Sequence, residues 1–198
     1  MKNNVPSSRK LRLKAGISAI FFGFAVLMTD IEMTLPCLLS AAFHECGHIL
    51  ASKLLGIRLE EMKLDLFGAR LSVSSREISY RAEFLLCAAG PLFSLLLALL
   101  CSFWGSDTYV FFRNLRDSSL FLGLLNLLPV RGFDGGRMLS ALIALLGSPF
   151  SADLIERLFT GFFLIILWGI AVYLLLITGG GLTLFVFSVG LFCKVFLL

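Results

Sequence analysis

The sequence predicts an all-α membrane protein, with six transmembrane helices and a small β-hairpin on the cytoplasmic side after the second of them. Three observations predict it. Of 198 residues, 58% are hydrophobic and 15% charged, with twenty Phe, whereas soluble domains carry about a quarter charged residues. Apolar runs near the length that a bilayer core requires, about 20 residues per helix, recur along the chain. The basic residues are segregated between alternate connections. Residues 1–198 read as a single integral-membrane domain, without internal repeats, low-complexity tracts or a soluble domain.

In chain order the expected spans are 15–29, 33–55, 83–104, 118–129 (continuing irregularly beyond), 158–178 and 182–198. No small-residue cleavage site follows the first run and a second comes almost at once, so a cleavable signal is not expected. Of the seventeen Lys and Arg, only Arg113 and Arg116 fall outside when the N-terminus is placed in the cytoplasm. Lys2, Arg9, Lys10, Arg12 and Lys14 precede the first span. Lys53, Arg58, Lys63, Arg70, Arg76 and Arg81 lie at or between the second and third, Arg131, Arg137 and Arg157 between the fourth and fifth, and Lys194 near the end. That bias predicts a multi-pass cell-membrane protein with both termini cytoplasmic. The net charge of +4 therefore belongs to loops facing anionic lipid, and no nucleic-acid surface is expected. Arg131 and Arg137 read as interfacial anchors that snorkel to headgroups.

Between the second and third spans, residues 56–81 are the longest polar-rich stretch. Met62-Lys63-Leu64-Asp65-Leu66 and Arg70-Leu71-Ser72-Val73-Ser74 alternate apolar and polar, with Phe67 and Gly68 between them. Period-two alternation around a glycine predicts a hairpin. Five cysteines are scattered singly, which indicates no disulfide framework.

Both histidines of the chain lie in the second run, in His44-Glu45-Cys46-Gly47-His48. H-E-x-x-H on a helix aligns two histidines at i and i+4 on one face, with the glutamate able to act on a metal-activated water. An ionisable group at bilayer depth costs a few kcal/mol on insertion scales, so Glu45 is a functional candidate by default. Catalytic zinc takes three protein ligands and leaves a fourth position open, so His44 and His48 need a third. Glu83 sits at a helix mouth, while Asp30, Glu32, Asp107 and Asp117 fall on the outer side. Asp134 stands apart, in a stretch where Pro129 ends a helix and Gly132, Gly135 and Gly136 permit sharp turns beside an apolar span. A loop of that kind, buried at membrane depth, can carry a carboxylate back to a metal.

H-E-x-x-H in one span, followed some eighty residues later by Asn126-x-x-Pro129-x-x-x-x-Asp134-Gly135, resembles the site-2 protease family of intramembrane zinc proteases. The resemblance covers most of the chain, including the hairpin with Phe67 and Gly68 at its tip and Gly90-Pro91 in the third span. It implies zinc on His44, His48 and Asp134, Glu45 as the base that activates water, and Asn126, Pro129, Phe67 and Gly68 as substrate-facing. The family's G-P-x-x-N element is matched in part, because Ser94 stands where Asn is usual. The compact layout leaves no room for an inserted outer domain and resembles the sporulation branch of the family. That implies hydrolysis of a peptide bond in a membrane-associated protein, a pro-sigma factor. With no soluble domain to sense a signal, control by a separate inhibitory membrane partner is expected. A membrane-spanning anti-sigma factor is the alternative substrate, and a metal-binding transporter the alternative of another class.

Overall fold

The computed structural model describes residues 12–15, 31–57, 59–65, 68–73, 78–103, 109–178, 185, 186, 188–190 and 192. In chain order come β1 (Arg12–Ala15), α1 (Ile31–Leu54), β2 (Leu59–Asp65), β3 (Gly68–Val73), α2 (Tyr80–Phe103), α3 (Val110–Asn126), α4 (Asp134–Leu146) and α5 (Pro149–Thr178). The expected first span, 15–29, lies outside the described residues except for Ala15, which closes β1. Of 182–198, the described residues are helical.

Two helices, Tyr80–Phe103 and Phe150–Ile177, are long and apolar enough to cross a membrane. Helix α1 has the length, 24 residues or about 36 Å, but its apolar run is interrupted by Glu45 and the histidines. The expected run at 118–129 is the C-terminal part of α3, which begins at Val110 and ends at Asn126. Hydropathy marks only its apolar portion, because the first turns carry Arg113, Asn114, Arg116 and Asp117. Likewise α5 starts nine residues before the apolar run at 158, with Asp153, Glu156 and Arg157 in its head.

Helix α1 stops at a left-handed glycine. Gly56 has φ +67°, its N–H donates to Lys53 O, and the Ile57 N–H donates to Ser52 O. This pair of bonds captures carbonyls that a helix end leaves open. The chain then enters a three-stranded sheet of order β1-β2-β3. β2 and β3 pair antiparallel, from Leu59↔Val73 to Asp65↔Gly68, with a register irregularity between Leu59 and Glu61. β1 pairs parallel with β2, Arg12 facing Glu61 and Ala15 facing Leu64. β2 is thus flanked on both sides, so among the described strands the open edge of the β2–β3 hairpin belongs to β3.

The helices form a bundle with α2 at its centre, against α1, α3 and α4. Asn114 Nδ2 donates to Glu32 O (3.0 Å), and the Cys37 and Ser118 side chains are 3.3 Å apart. These two links make α1 and α3 run side by side in the same direction, with α2 antiparallel to both. Small residues let the backbones approach: Ser40, Gly47 and Ser52 on α1, Gly90, Ser94 and Ala98 on α2, Ser119 and Gly123 on α3 are all buried. Bundles in lipid gain little from hydrophobic burial, so close backbone packing of this kind carries their association. The opposite faces expose Leu85, Leu92, Leu96, Leu99 and Phe103 on α2, and Phe162, Ile165, Trp168 and Leu176 on α5, as lipid-facing surfaces do.

Candidate metal centre

Helical periodicity puts His44 and His48 on the inner face of α1, where both are buried, at 4% and 6% exposure. Glu45 lies one position round, half-buried, with its Oε2 shielded from solvent and the side chain within electrostatic reach of His48. Cys46 is exposed on the far side, as its i+2 position dictates.

Asp134 arrives from α4. It was expected in a loop but is the first residue of a helix. There the free N–H groups and the helix dipole favour an ionised carboxylate. The preceding turn is tightly held. A Cβ on Gly135 would strike the backbone of Leu127 and Leu128, and one on Gly136 the backbone of Val130, so the Asp-Gly-Gly run lets α4 start directly against the connection from α3. Val130 and Phe133 pack with Leu164 of α5 in a buried cluster, and the Arg131 N–H donates to Thr160 Oγ1 at 2.8 Å. Arg137, one turn into α4, reaches Glu83 of α2 at 3.1 Å. Arg131 pairs with Asp153 at 3.4 Å. Both arginines, expected to anchor to headgroups, instead tie elements of the protein together around this turn.

The result is convergence. His44 Nε2 lies 3.1 Å from Asp134 Oδ2, His48 Nε2 lies 3.2 Å from the same oxygen, and the two nitrogens are 3.3 Å apart. Three ligands at 2.0–2.1 Å from a tetrahedral zinc are separated by about 3.3 Å along each edge, so the three atoms have the dimensions of one face of such a site. Among the described residues, His44, His48 and Asp134 form the group of His, Cys, Asp or Glu side chains able to hold a metal. The other sequence candidates are elsewhere: Glu83 is paired with Arg137, Asp117 with Arg116 on the surface, Glu32 is exposed at the start of α1, and Asp30 and Asp107 lie outside the described residues.

One face of α2 completes the centre. Leu86, Gly90 and Ser94 follow at i, i+4 and i+8. The His48 Nδ1–H donates to Leu86 O at 2.9 Å, and His44 Nδ1 is 2.9 Å from Ser94 Oγ. Both rings are thereby turned with Nε2 towards the carboxylate. Between them, a Cβ on Gly90 would strike His48 Nε2 and lie 2.7 Å from His44 Nε2. The missing side chain leaves a cradle in contact with both nitrogens, which fits a bound ion. Sequence reasoning noted Gly90 and Ser94 only as parts of a motif; that both face the histidines depends on the register of α2 against α1.

Of the four expected substrate residues, Asn126, Pro129 and Gly68 are among the described residues. Asn126 is the half-buried last residue of α3, its Nδ2 donating to Leu122 O at 3.0 Å. Pro129 is half-buried in the connection that leads to Asp134. Gly68 opens β3 opposite Asp65, and Phe67 lies outside the described residues.

Comparison with known proteins bears on this geometry. The family model described as Peptidase M50B-like matches residues 17–148. The chain belongs to that family. It is similar to the putative zinc metalloprotease Rip3 of Mycobacterium tuberculosis, with 33% identity over 113 residues, in strains Erdman and H37Rv alike. That match takes in 52% of this chain and 29% of Rip3, so the chain spans under a third of its curated relative. In fold it is similar to the site-2 protease from Methanocaldococcus jannaschii, with a TM-score of 0.65 and 22% identity over 90% of this chain and 86% of that one. The M50B-like chain is accordingly a multi-pass integral membrane protein.

Proposed function

We propose that the chain hydrolyses a peptide bond in a membrane-associated protein, with zinc held by His44, His48 and Asp134 and with Glu45 as the base. The observation that carries this reading is the convergence of two imidazole nitrogens and one carboxylate oxygen, 3.1–3.3 Å apart, over the cradle at Gly90. Zinc held by His44, His48 and Asp134 would supply Lewis-acid chemistry here, lowering the pKa of water towards about 7 and polarising a carbonyl. Glu45 adjoins His44 on the helix, so its carboxylate takes the proton of the attacking water and returns it to the leaving amine. His44 and His48 keep Nε2 directed at the centre through their Nδ1 contacts with Ser94 and Leu86. Asp134 brings negative charge that balances the metal in a water-poor interior.

A helical substrate hides its carbonyls in intrahelical bonds and must be extended before attack. The edge of β3 is suited to that task by strand addition, since β2 is already paired on both sides. Asn126, Pro129, Phe67 and Gly68 are proposed to face the extended segment. The charge bias supports six spans, cytoplasmic termini and a sheet at the cytoplasmic edge, and so a substrate cut from that side. A pro-sigma factor is the proposed substrate, and a separate membrane protein the proposed inhibitor that blocks the cleft until released.

Co-expression of a candidate pro-sigma factor with wild type or Glu45→Gln, read by size shift on a gel, tests the reading. Cleavage by wild type alone is expected. Cleavage by both removes the protease assignment in favour of a transporter. An uncut precursor beside a processed membrane-spanning anti-sigma factor removes only the substrate assignment.

A further inference from the structure

Ser94 is the residue at which this chain departs from the family pattern, and its surroundings show what it can do. It is fully buried, its Oγ lies 2.9 Å from His44 Nδ1, and it occupies the turn of α2 above the Gly90 cradle. The other histidine is held differently. His48 Nδ1 faces a backbone carbonyl, which only accepts, so that ring carries its proton on Nδ1 and keeps the Nε2 lone pair for the centre. Among the described residues, the partner of His44 Nδ1 is the Ser94 hydroxyl and not a carbonyl. A hydroxyl can accept from Nδ1–H or donate to a bare Nδ1; only the first leaves His44 Nε2 deprotonated towards Asp134 and His48.

We propose that Ser94 is a positioning residue for the metal, accepting the Nδ1–H of His44 and thereby fixing that ring's tautomer and angle, as the Leu86 carbonyl does for His48. The inference rests on the metal reading above and deepens it. It assigns position 94 to the metal rather than to substrate, and makes one face of α2, through Leu86, Gly90 and Ser94, the outer wall of the centre. Space limits which side chain can serve. A Cβ on Gly123 would lie 3.2 Å from Ser94 Cβ, so α3 presses on this position and a glycine there gives the hydroxyl its room.

The test is zinc affinity of detergent-purified protein, by competition with a chromophoric chelator, together with the ligand-field spectrum of the Co²⁺-loaded protein. Ser94→Ala removes one oxygen and leaves the packing otherwise intact. Its zinc affinity is expected to fall about 10–100-fold, as for other outer partners of metal-bound histidines, with the Co²⁺ bands shifted and the apo protein melting as wild type. Ser94→Thr or Ser94→Asn, each with an oxygen that can accept, is expected to recover most of the loss. Unchanged affinity in Ser94→Ala, or Thr and Asn variants both as weak as Ala, overturns the assignment. A wild type that binds no stoichiometric zinc overturns the metal reading and this inference with it, whereas proteolysis results bear on the reaction alone.

Discussion

Adding a single methyl at Gly90 is the sharpest perturbation the bundle offers. In Gly90→Ala the new Cβ strikes His48 Nε2 and lies 2.6 Å from His48 Cε1 and 2.7 Å from His44 Nε2. Restoring an ordinary 3.4 Å contact at His44 alone demands a shift of about 0.7 Å, several times the roughly 0.2 Å tolerance of metal–ligand distances. At the neighbouring residues α1 and α2 are packed so closely that a Cβ on Gly47 would lie 2.6 Å from Ala89 O, so making room by moving the helices apart would give up that packing. Both histidines are displaced together. The loss should therefore exceed that of disturbing an outer partner, reaching at least about 100-fold in zinc affinity, or about 2.7 kcal/mol. The assay is metal content by elemental analysis plus chelator competition, beside the control Gly161→Ala. A Cβ on Gly161 meets nothing within 4 Å, and that variant should bind as wild type. Gly90→Ala with full zinc and wild-type affinity would refute the cradle and the geometry built on it.

Glu45→Gln should retain zinc and lose proteolysis by about 10²–10⁴-fold, the usual share of a general base, measured by cleavage and metal analysis on the same sample. Asp134→Ala should lower zinc affinity and cleavage together, since two histidines leave the metal under-coordinated; undiminished occupancy would make another residue the ligand. Arg137→Ala should weaken zinc binding without touching any ligand atom, because the Arg137–Glu83 pair ties α4 to α2; pairing Glu83→Arg with Arg137→Glu should restore part of it, and no recovery would make the pair incidental. A cysteine placed at Ser75 on a cysteine-free background should react in intact cells only with a membrane-permeant reagent; labelling by an impermeant one would invert the topology.

The chemistry of the site was more legible than its construction. His44 and His48 announce themselves by an i, i+4 spacing that any helix converts into a shared face, and Asp134 by its company of Pro129 and three glycines. That Asp134 begins α4 was not legible, because a Gly-Gly pair reads as a turn until Leu127, Leu128 and Val130 are seen pressing on it. Strand β1 was hidden too. Arg12-Leu13-Lys14-Ala15 looks like the basic flank of a span, and its parallel partner β2 lies more than forty residues away. Ser94, the Leu86 carbonyl and Thr160 take their roles from which helix faces which, and a local pattern holds no record of that. Arg137 looked like a lipid anchor because Glu83, its partner, is fifty-four residues off.

Zinc K-edge X-ray absorption of the purified wild type tests the metal centre most directly. Nitrogen and oxygen ligands at about 2.0–2.1 Å, with outer-shell scattering from two imidazoles and no sulfur, are the result that ligation by His44, His48 and Asp134 predicts. A scatterer at about 2.3 Å, the zinc–thiolate distance, or a spectrum requiring a single imidazole, would contradict it.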